Sequence, residues 1–138
     1  MIRGGCLCGG VRFEADAIEI LTNCHCSMCR KAHGAAYGTF ANAYRSKFRL
    51  TAGEDLIQDY RSSEHNVRRF CRVCGSSVPH GDVEAETVVI PAGLLDDDPG
   101  VRPCLHMFTG SKAIWYEIDD TLPRFEAWVP GHGPDDPR

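Results

Sequence analysis

The cysteines are the residues of this 138-residue chain whose types and spacing could do chemistry. Seven of the eight fall into three short motifs: Cys-x-Cys in GCLCGG, Cys-x-Cys-x-x-Cys in CHCSMC and Cys-x-x-Cys in FCRVCG. Turns of this kind point two sulfurs at one ion, and a following glycine permits the left-handed turn that frees backbone N–H groups for the thiolates. Soft thiolates favour zinc, which takes four tetrahedral ligands. The motifs therefore predict zinc binding.

Counting the ligands divides the motifs between two sites. The first and third motifs together supply four cysteines, which is a closed structural set: Cys6, Cys8, Cys71 and Cys74. Such a site would clip the N-terminal segment to the middle of a small domain. The second motif supplies three, Cys24, Cys26 and Cys29. Three protein ligands with an open fourth position are typical of a catalytic zinc. We therefore expect two zinc ions per chain.

Several other uses of the cysteines compete with this interpretation. A redox Cys-x-x-Cys lacks the surrounding βαβ pattern, and the usual iron–sulfur spacings are not met. A disulfide framework is disfavoured in a reducing compartment. One alternative stays open: Cys104 or a histidine could close the three-cysteine set and make it a second structural site. His25 lies between two of the cysteines, and we expect its side chain to turn away from the metal, beside it or at the surface. Cys104 itself is interpreted as a small buried hydrophobic residue.

A zinc ion with three thiolates carries a net charge of −1 and is a weaker Lewis acid than a three-histidine zinc. It is less suited to making hydroxide than to accepting a fourth thiol, which would deprotonate on the metal. Addition of a thiol to a carbonyl, and the reverse reaction, fit such a site. Arg30 and Lys31 follow Cys29 directly and could attract an anionic thiol, or they could simply be solvated surface charges.

The elements that must position these cysteines are mostly short strands. Alternation and β-forming residues predict strands in GVRFEAD, AAYGTFANA, KFRLTAG, IQDYRS, NVRRFC, ETVVIPAG and CLHMF. Short helices are predicted at 27–33, in AYRSKF and in GSKAIWYEI. The prediction is a mainly β fold in one domain, 1–130, followed by a flexible Gly/Pro-rich tail, 131–138.

Composition excludes some classes of function. No apolar run approaches the ~20 residues of a membrane span, and the N-terminus lacks the apolar region of a signal peptide, so we expect a cytoplasmic protein. The net charge of −4 and the lack of a Lys/Arg run argue against nucleic acid. Residues 1–80, which hold all the close-spaced cysteines, carry 11 Lys/Arg against 7 Asp/Glu, and this suits a small anionic ligand.

The three motifs, in this order, resemble the glutathione-dependent formaldehyde-activating enzyme family, which includes relatives of centromere protein V. The segments GGCLCGGVRFE, NCHCSMCRKAHG and RRFCRVCGSSV look like that family's motifs, as do PAGLLDDDPGVRP, HMFTGSKAIWYEI and LPRFEAW. The resemblance implies a tent-like fold of coiled antiparallel sheets held by zinc knuckles, with the two zinc sites divided as the ligand count divides them. It also implies formation or cleavage of the C–S bond of S-hydroxymethylglutathione. Lys112 and Trp115, in SKAIW, match a family segment and are candidate substrate-binding residues together with Arg30.

Two hypotheses follow. The first is a carbon–sulfur lyase whose catalytic zinc joins a thiol such as glutathione to a small aldehyde. The second is a non-catalytic two-zinc module that binds another protein. The sequence leaves the oligomeric state open, with a homodimer as one option.

Overall fold

The computed structural model describes residues 1–82 and 84–131. Within them the chain forms one α-helix, α1 (Ser27–His33), four 3₁₀ turns and ten strands. The 3₁₀ turns are Arg45–Lys47, Glu54–Leu56, Ala92–Leu94 and Thr109–Ser111. The strands are β1 (Ile2–Gly5), β2 (Arg12–Ala15), β3 (Ile20–Cys24), β4 (Gly38–Tyr44), β5 (Phe48–Ala52), β6 (Ile57–Ser63), β7 (Asn66–Cys71), β8 (Ser77–Val78), β9 (Thr87–Pro91) and β10 (Pro103–Met107).

The strands form three small sheets in the described part of the chain, in the orders β1-β2-β5, β10-β3-β4-β9 and β6-β7-β8. Neighbouring strands are antiparallel, except that β10 runs parallel to β3. The predicted mainly β fold of several short antiparallel sheets is confirmed.

The four-stranded sheet β10-β3-β4-β9 separates the hydrophobic core from the candidate site. Because side chains alternate along a strand, one face carries the core residues Leu21, Ala41, Ala43, Val88 and Ile90. Phe13, from the first sheet, completes this core and is 1% exposed. Burial of one such aromatic side chain contributes about 1.5–3 kcal/mol. The other face of the sheet carries Thr22, Cys24, Phe40 and Asn42, which line a cavity.

Helix α1 begins inside the second cysteine motif, directly after Cys26. Cys26 is the N-cap, and its sulfur accepts a hydrogen bond from the backbone N–H of Cys29 at 3.3 Å. Gly34 ends the helix in the left-handed conformation, at φ 58°. Basic residues in the last turn interact favourably with the negative end of the helix dipole. The helix predicted at 27–33 is confirmed.

All seven predicted strands are present, but three strands were not predicted. β1 reads IRGG, and glycine is uncommon in strands. It is required here because a Cβ on Gly4 would lie 2.4 Å from the ring of Phe13. β3 reads ILTNC, which shows no clean alternation because the side chains on both faces are buried at positions 21–24. β8 has only two residues.

Two helix predictions need correction. AYRSKF contains only the 3₁₀ turn Arg45–Lys47. In GSKAIWYEI the 3₁₀ turn ends at Ser111, and no helix follows. The reason lies in the side chains, because Ile114 and Trp115 are 95% and 71% exposed, so packing of their apolar side chains contributes little to hold a helix here. The ammonium of Lys112 binds the backbone carbonyls of Ala113 and Tyr116 instead.

In the described residues, no helix has the length and apolar character that crossing a membrane requires. The predicted flexible tail, 131–138, lies outside the described residues apart from Gly131.

Candidate functional site

The first and third cysteine motifs meet in space. Their four sulfurs lie within 4.8 Å of one another, although the motifs are more than 60 residues apart: Cys6, Cys8, Cys71 and Cys74. The sulfur of Cys8 is 3.5 Å from that of Cys6 and 3.8 Å from that of Cys71. The cluster joins the end of β1 to the end of β7, as the ligand count predicts.

Backbone geometry at the two motifs matches. Gly9 and Gly75, each one residue beyond a motif, both have φ of 76°. Each glycine N–H donates to the carbonyl of the first cysteine of its motif, at 2.9 Å and 2.7 Å. The backbone N–H of Val11 also donates to the sulfur of Cys6 at 3.2 Å, a contact that favours a thiolate. Both turns are therefore shaped to hold sulfur ligands.

The second motif forms a separate, buried cluster. Cys24 ends β3, Cys26 caps α1 and Cys29 lies in the first helical turn, with their sulfurs within 4.8 Å of one another. Their exposed fractions are 6%, 4% and 5%. Among the described residues, no histidine, acid or further cysteine joins this group, so neither Cys104 nor His25 completes it.

Hydrogen bonds among the three close thiols shift their pKa values in opposite directions. Hydrogen bonds from Cys24 and then Cys29, helped by backbone N–H groups at the start of α1, lower the pKa of Cys26 to about 2. The hydrogen bonds that Cys24 makes to Cys26 and Cys29, with burial, raise the pKa of Cys24. A buried, mutually close set of sulfur donors fits a soft divalent metal such as zinc.

A cavity of about 490 Å³ opens beside this cluster, and Cys24 and Cys29 form part of its wall. Its floor is the outer face of the four-stranded sheet, and its apolar walls come from the C-terminal part of the chain. A second cavity, of about 460 Å³, is lined by residues of neither cysteine cluster. The residues that line the first cavity are Ile20, Thr22, Cys24, Cys29, Phe40, Asn42, Asn66, Arg68, His80, Thr87, Val89, Leu105, Met107, Phe108, Trp128 and Val129.

Arg68 brings a positive charge to the cavity. It lies on β7, is 9% exposed, and its Nη2 is 3.6 Å from the sulfur of Cys29. The sequence prediction did not include it. A signal was available, because Arg68 and Arg69 are consecutive in a predicted strand and must face opposite sides of it. The structure places Arg69 outward, paired with Asp59 at 3.0 Å.

Comparison with known proteins bears on this arrangement. The family model described as GFA, glutathione-dependent formaldehyde-activating enzyme, matches residues 1–111. This chain belongs to the GFA family. A Halomonas elongata protein named "Putative glutathione-dependent formaldehyde-activating enzyme" is 26% identical over 128 residues, covering 86% of this chain and 82% of its own. A crystal structure of a Rhodobacter sphaeroides protein aligns with a TM-score of 0.59 and 26% identity, over 71% of this chain and 92% of that one.

In this GFA chain His25 does not join the three cysteines, and of the two positions expected for it the surface is wrong, since its side chain is fully buried. Its Nε2 is 2.8 Å from Nδ1 of His106, whose Nε2 is 2.8 Å from Oδ2 of Asp120. If the carboxylate accepts from His106, then Nδ1 of His106 accepts in turn from His25. Burial, followed by the neighbouring charge of His106, lowers the pKa of His25 to about 4. The chain of contacts fixes the backbone between Cys24 and Cys26.

The three residues suggested for substrate binding lie elsewhere around the GFA site, and none lines the 490 Å³ cavity. Nε of Arg30 donates to the backbone carbonyl of His25 at 3.4 Å. Lys112 binds backbone carbonyls, and Trp115 is 71% exposed. Their role in binding substrate stays a prediction.

Cys104 is exposed, so its interpretation as a buried hydrophobic residue is wrong. The pairing of β10 with β3 shifts register between Pro103 and His106. This irregularity inserts one extra residue in β10 and turns Cys104 outward.

Proposed function

We propose that this GFA-family chain is a zinc-dependent carbon–sulfur lyase. It would form or cleave the C–S bond of an adduct between glutathione and a small aldehyde, of the S-hydroxymethylglutathione type. The observation that carries the proposal is the buried cluster of three thiols, one ligand short of a tetrahedral set, in the wall of a cavity large enough for a small-molecule ligand.

The two clusters would hold two metal ions with different duties. Cys6, Cys8, Cys71 and Cys74 would bind a structural zinc, and Cys24, Cys26 and Cys29 a catalytic one. A zinc ion bound by the three cysteines would supply a Lewis acid that lowers the pKa of a thiol ligand, so that the thiol is a nucleophile at neutral pH. We also propose a cytoplasmic location, where reducing conditions keep metal-binding thiols reduced.

The residues that line the cavity would position the reactants and exclude water. Phe40, Phe108 and Trp128 line the cavity next to the three-cysteine cluster, so the reacting sulfur and carbonyl carbon would meet in largely apolar surroundings. Electrostatic interactions in such surroundings are stronger than in water. The reaction is balanced without a co-reactant: the thiol sulfur bonds to the carbonyl carbon, and the thiol proton ends on the carbonyl oxygen.

The test must separate catalysis from spontaneous addition, because thiols add to formaldehyde without an enzyme. Exchange between free and glutathione-bound ¹³C-formaldehyde can be measured by NMR magnetisation transfer. We expect zinc-loaded protein to accelerate exchange in proportion to its concentration, Cys26→Ser to abolish the acceleration, and Cys104→Ser, at an exposed position outside the cavity, to retain it. An exchange rate unchanged by zinc-loaded wild-type protein would contradict the proposal.

One observation favours the second candidate, a non-catalytic zinc module that binds another protein. Leu7 and Val73 lie inside the two motifs of the four-cysteine cluster and are 86% and 65% exposed. Exposed apolar residues that lie close together can form part of a surface that contacts another protein. An exchange rate that fully zinc-loaded protein leaves unchanged in the NMR experiment would favour this candidate.

A further inference from the structure

We propose that Arg68 is the anion-binding residue of the cavity, and that the thiol substrate carries a carboxylate which Arg68 binds. The inference rests on the proposed function and makes it more specific. It assigns substrate selection to a residue on β7, in the third sheet, rather than to Arg30 or Lys112.

Arg68 is a buried and incompletely paired cation. Arg68 is 9% exposed and lines the cavity. Its Nη2 contacts the sulfur of Cys29 at 3.6 Å, but its buried Nε has no protein acceptor among the described residues. A buried donor left without an acceptor is destabilising, and more so when it belongs to a charged guanidinium. The guanidinium therefore lacks a carboxylate counter-ion among the described residues, and a carboxylate bound in the cavity would supply one.

Arg68 also differs from the arginines that form ion pairs. In the described residues, Arg3, Arg12, Arg49, Arg69 and Arg102 each have a carboxylate partner, at 2.7–3.2 Å. Those pairs lie at the surface, where an ion pair contributes little. Arg68, the buried arginine, has no such partner among the residues described. Another arginine without a carboxylate partner in the described part of the chain, Arg61, is exposed and donates to a backbone carbonyl. Among the described residues Arg68 is therefore the buried guanidinium, for which a carboxylate partner would contribute most.

The position of Arg68 beside the three-cysteine cluster also matters. Since Nη2 of Arg68 lies 3.6 Å from the sulfur of Cys29, a carboxylate bound by the guanidinium would belong to the molecule whose thiol reaches the cluster. Asn66, two residues earlier on β7, also lines the cavity and adds an amide on the same side. A guanidinium binds a carboxylate through two parallel N–H donors, which fixes orientation as well as charge.

A competing explanation is that Arg68 only balances the negative charge of the thiolates. Under that explanation Arg68 would support metal retention and would be indifferent to the charge of the substrate. The two explanations differ in one quantity, the preference for a thiol with a carboxylate over an uncharged thiol of the same shape.

The experiment compares 3-mercaptopropionate with 3-mercaptopropionamide, which differ in charge and hardly in size. Binding to the zinc-loaded full chain is measured by calorimetry, with zinc content determined for every sample. We expect the wild type to bind the carboxylate at least about tenfold more tightly, as one charge-assisted contact allows. Arg68→Gln should abolish that preference and leave the affinity for the amide within about twofold. Arg69→Gln, on the opposite face of the same strand, should retain the preference.

The possible results separate the role of Arg68 from the proposed function. Equal affinities of the wild type for the two thiols would overturn the inference and leave the proposed function standing. Binding of neither thiol by zinc-loaded wild type would overturn both. A preference that persists in Arg68→Gln would also overturn the inference. If Arg68→Gln fails to fold or loses zinc, Arg68→Lys is decisive: it keeps the charge but lacks the planar pair of donors, so a preference as large as in the wild type would overturn the assignment.

Discussion

Serine substitutions at Cys26 and Cys71 should separate the two clusters by their effect on stability. Cys26 caps α1, and its sulfur accepts from the backbone N–H of Cys29 at 3.3 Å. Serine is among the preferred N-cap residues, so Cys26→Ser keeps a hydrogen-bond acceptor at the start of the helix. Apart from any metal lost, we expect this substitution to lower the free energy of unfolding by no more than about 1 kcal/mol.

Cys71→Ser meets a different environment. The side chain of Cys71 is fully buried and packs with Val11 and Val78, so a serine hydroxyl there would cost about 1–3 kcal/mol unless it found a partner. A structural zinc contributes about 10–16 kcal/mol to folding, and one ligand of four is worth about 3 kcal/mol by equal division. The sum, about 4–6 kcal/mol, approaches the whole stability of a small domain. It corresponds to a melting temperature lower by about 15 °C or more.

Thermal unfolding of both zinc-loaded variants, followed by circular dichroism, gives the comparison. Wild type treated with a strong chelator is the control, and it should melt below Cys71→Ser, because it loses the whole contribution of the structural ion and the variant loses one ligand of four. Catalysis of formaldehyde exchange should disappear in Cys26→Ser while its melting temperature stays close to that of the wild type. Equal melting losses in the two variants would refute the division into a structural and a catalytic cluster.

Three further predictions follow from individual side chains. Burial lowers the pKa of His80 to about 4, so as the pH falls the unfolded chain binds a proton at this histidine before the folded chain does. The free energy of unfolding should therefore decrease between pH 7 and pH 5, by about 2 kcal/mol more in the wild type than in His80→Gln. Urea unfolding at the two pH values measures the difference. Cys104 is exposed, so it should be the first thiol that iodoacetamide modifies in zinc-loaded protein, as mass spectrometry would show, and Cys104→Ser should melt like the wild type. Gly4→Ala places a Cβ 2.4 Å from the ring of Phe13 and should destabilise by about 1–3 kcal/mol in urea, whereas Gly93→Ala, with nothing within 4 Å of the new Cβ, should be near neutral.

Features set by short-range spacing were predictable from the sequence. The three cysteine motifs depend on turns of two to four residues, and helix 27–33 depends on a local cap and a following glycine. The union of the first and third motifs, more than 60 residues apart, followed from the four ligands that zinc requires. Strands with alternating residues, such as Asn66–Cys71, were likewise recognisable. These patterns are local, so no knowledge of tertiary packing is needed to find them.

Features that depend on long-range packing were not predictable. Arg68 reaches Cys29 from a strand 39 positions later in the chain, and His25 pairs with His106 across 81 positions. No local pattern shows which of two adjacent arginines turns inward. In the segment 110–118 the sequence predicted a helix that the structure lacks after Ser111, because its large apolar side chains remain exposed.

The measurement that tests the central claim most directly is ¹¹³Cd NMR of the cadmium-substituted protein, with and without glutathione. The chemical shift of cadmium reports the number of thiolate ligands, and each site gives its own resonance, which Cys26→Ser assigns. We expect two resonances, of which one is typical of four thiolates and does not move. The other should report three thiolates and shift toward the first when glutathione is added. Two four-thiolate resonances before any glutathione is added, or a second resonance that glutathione leaves in place, would contradict the open coordination position on which the proposed function depends.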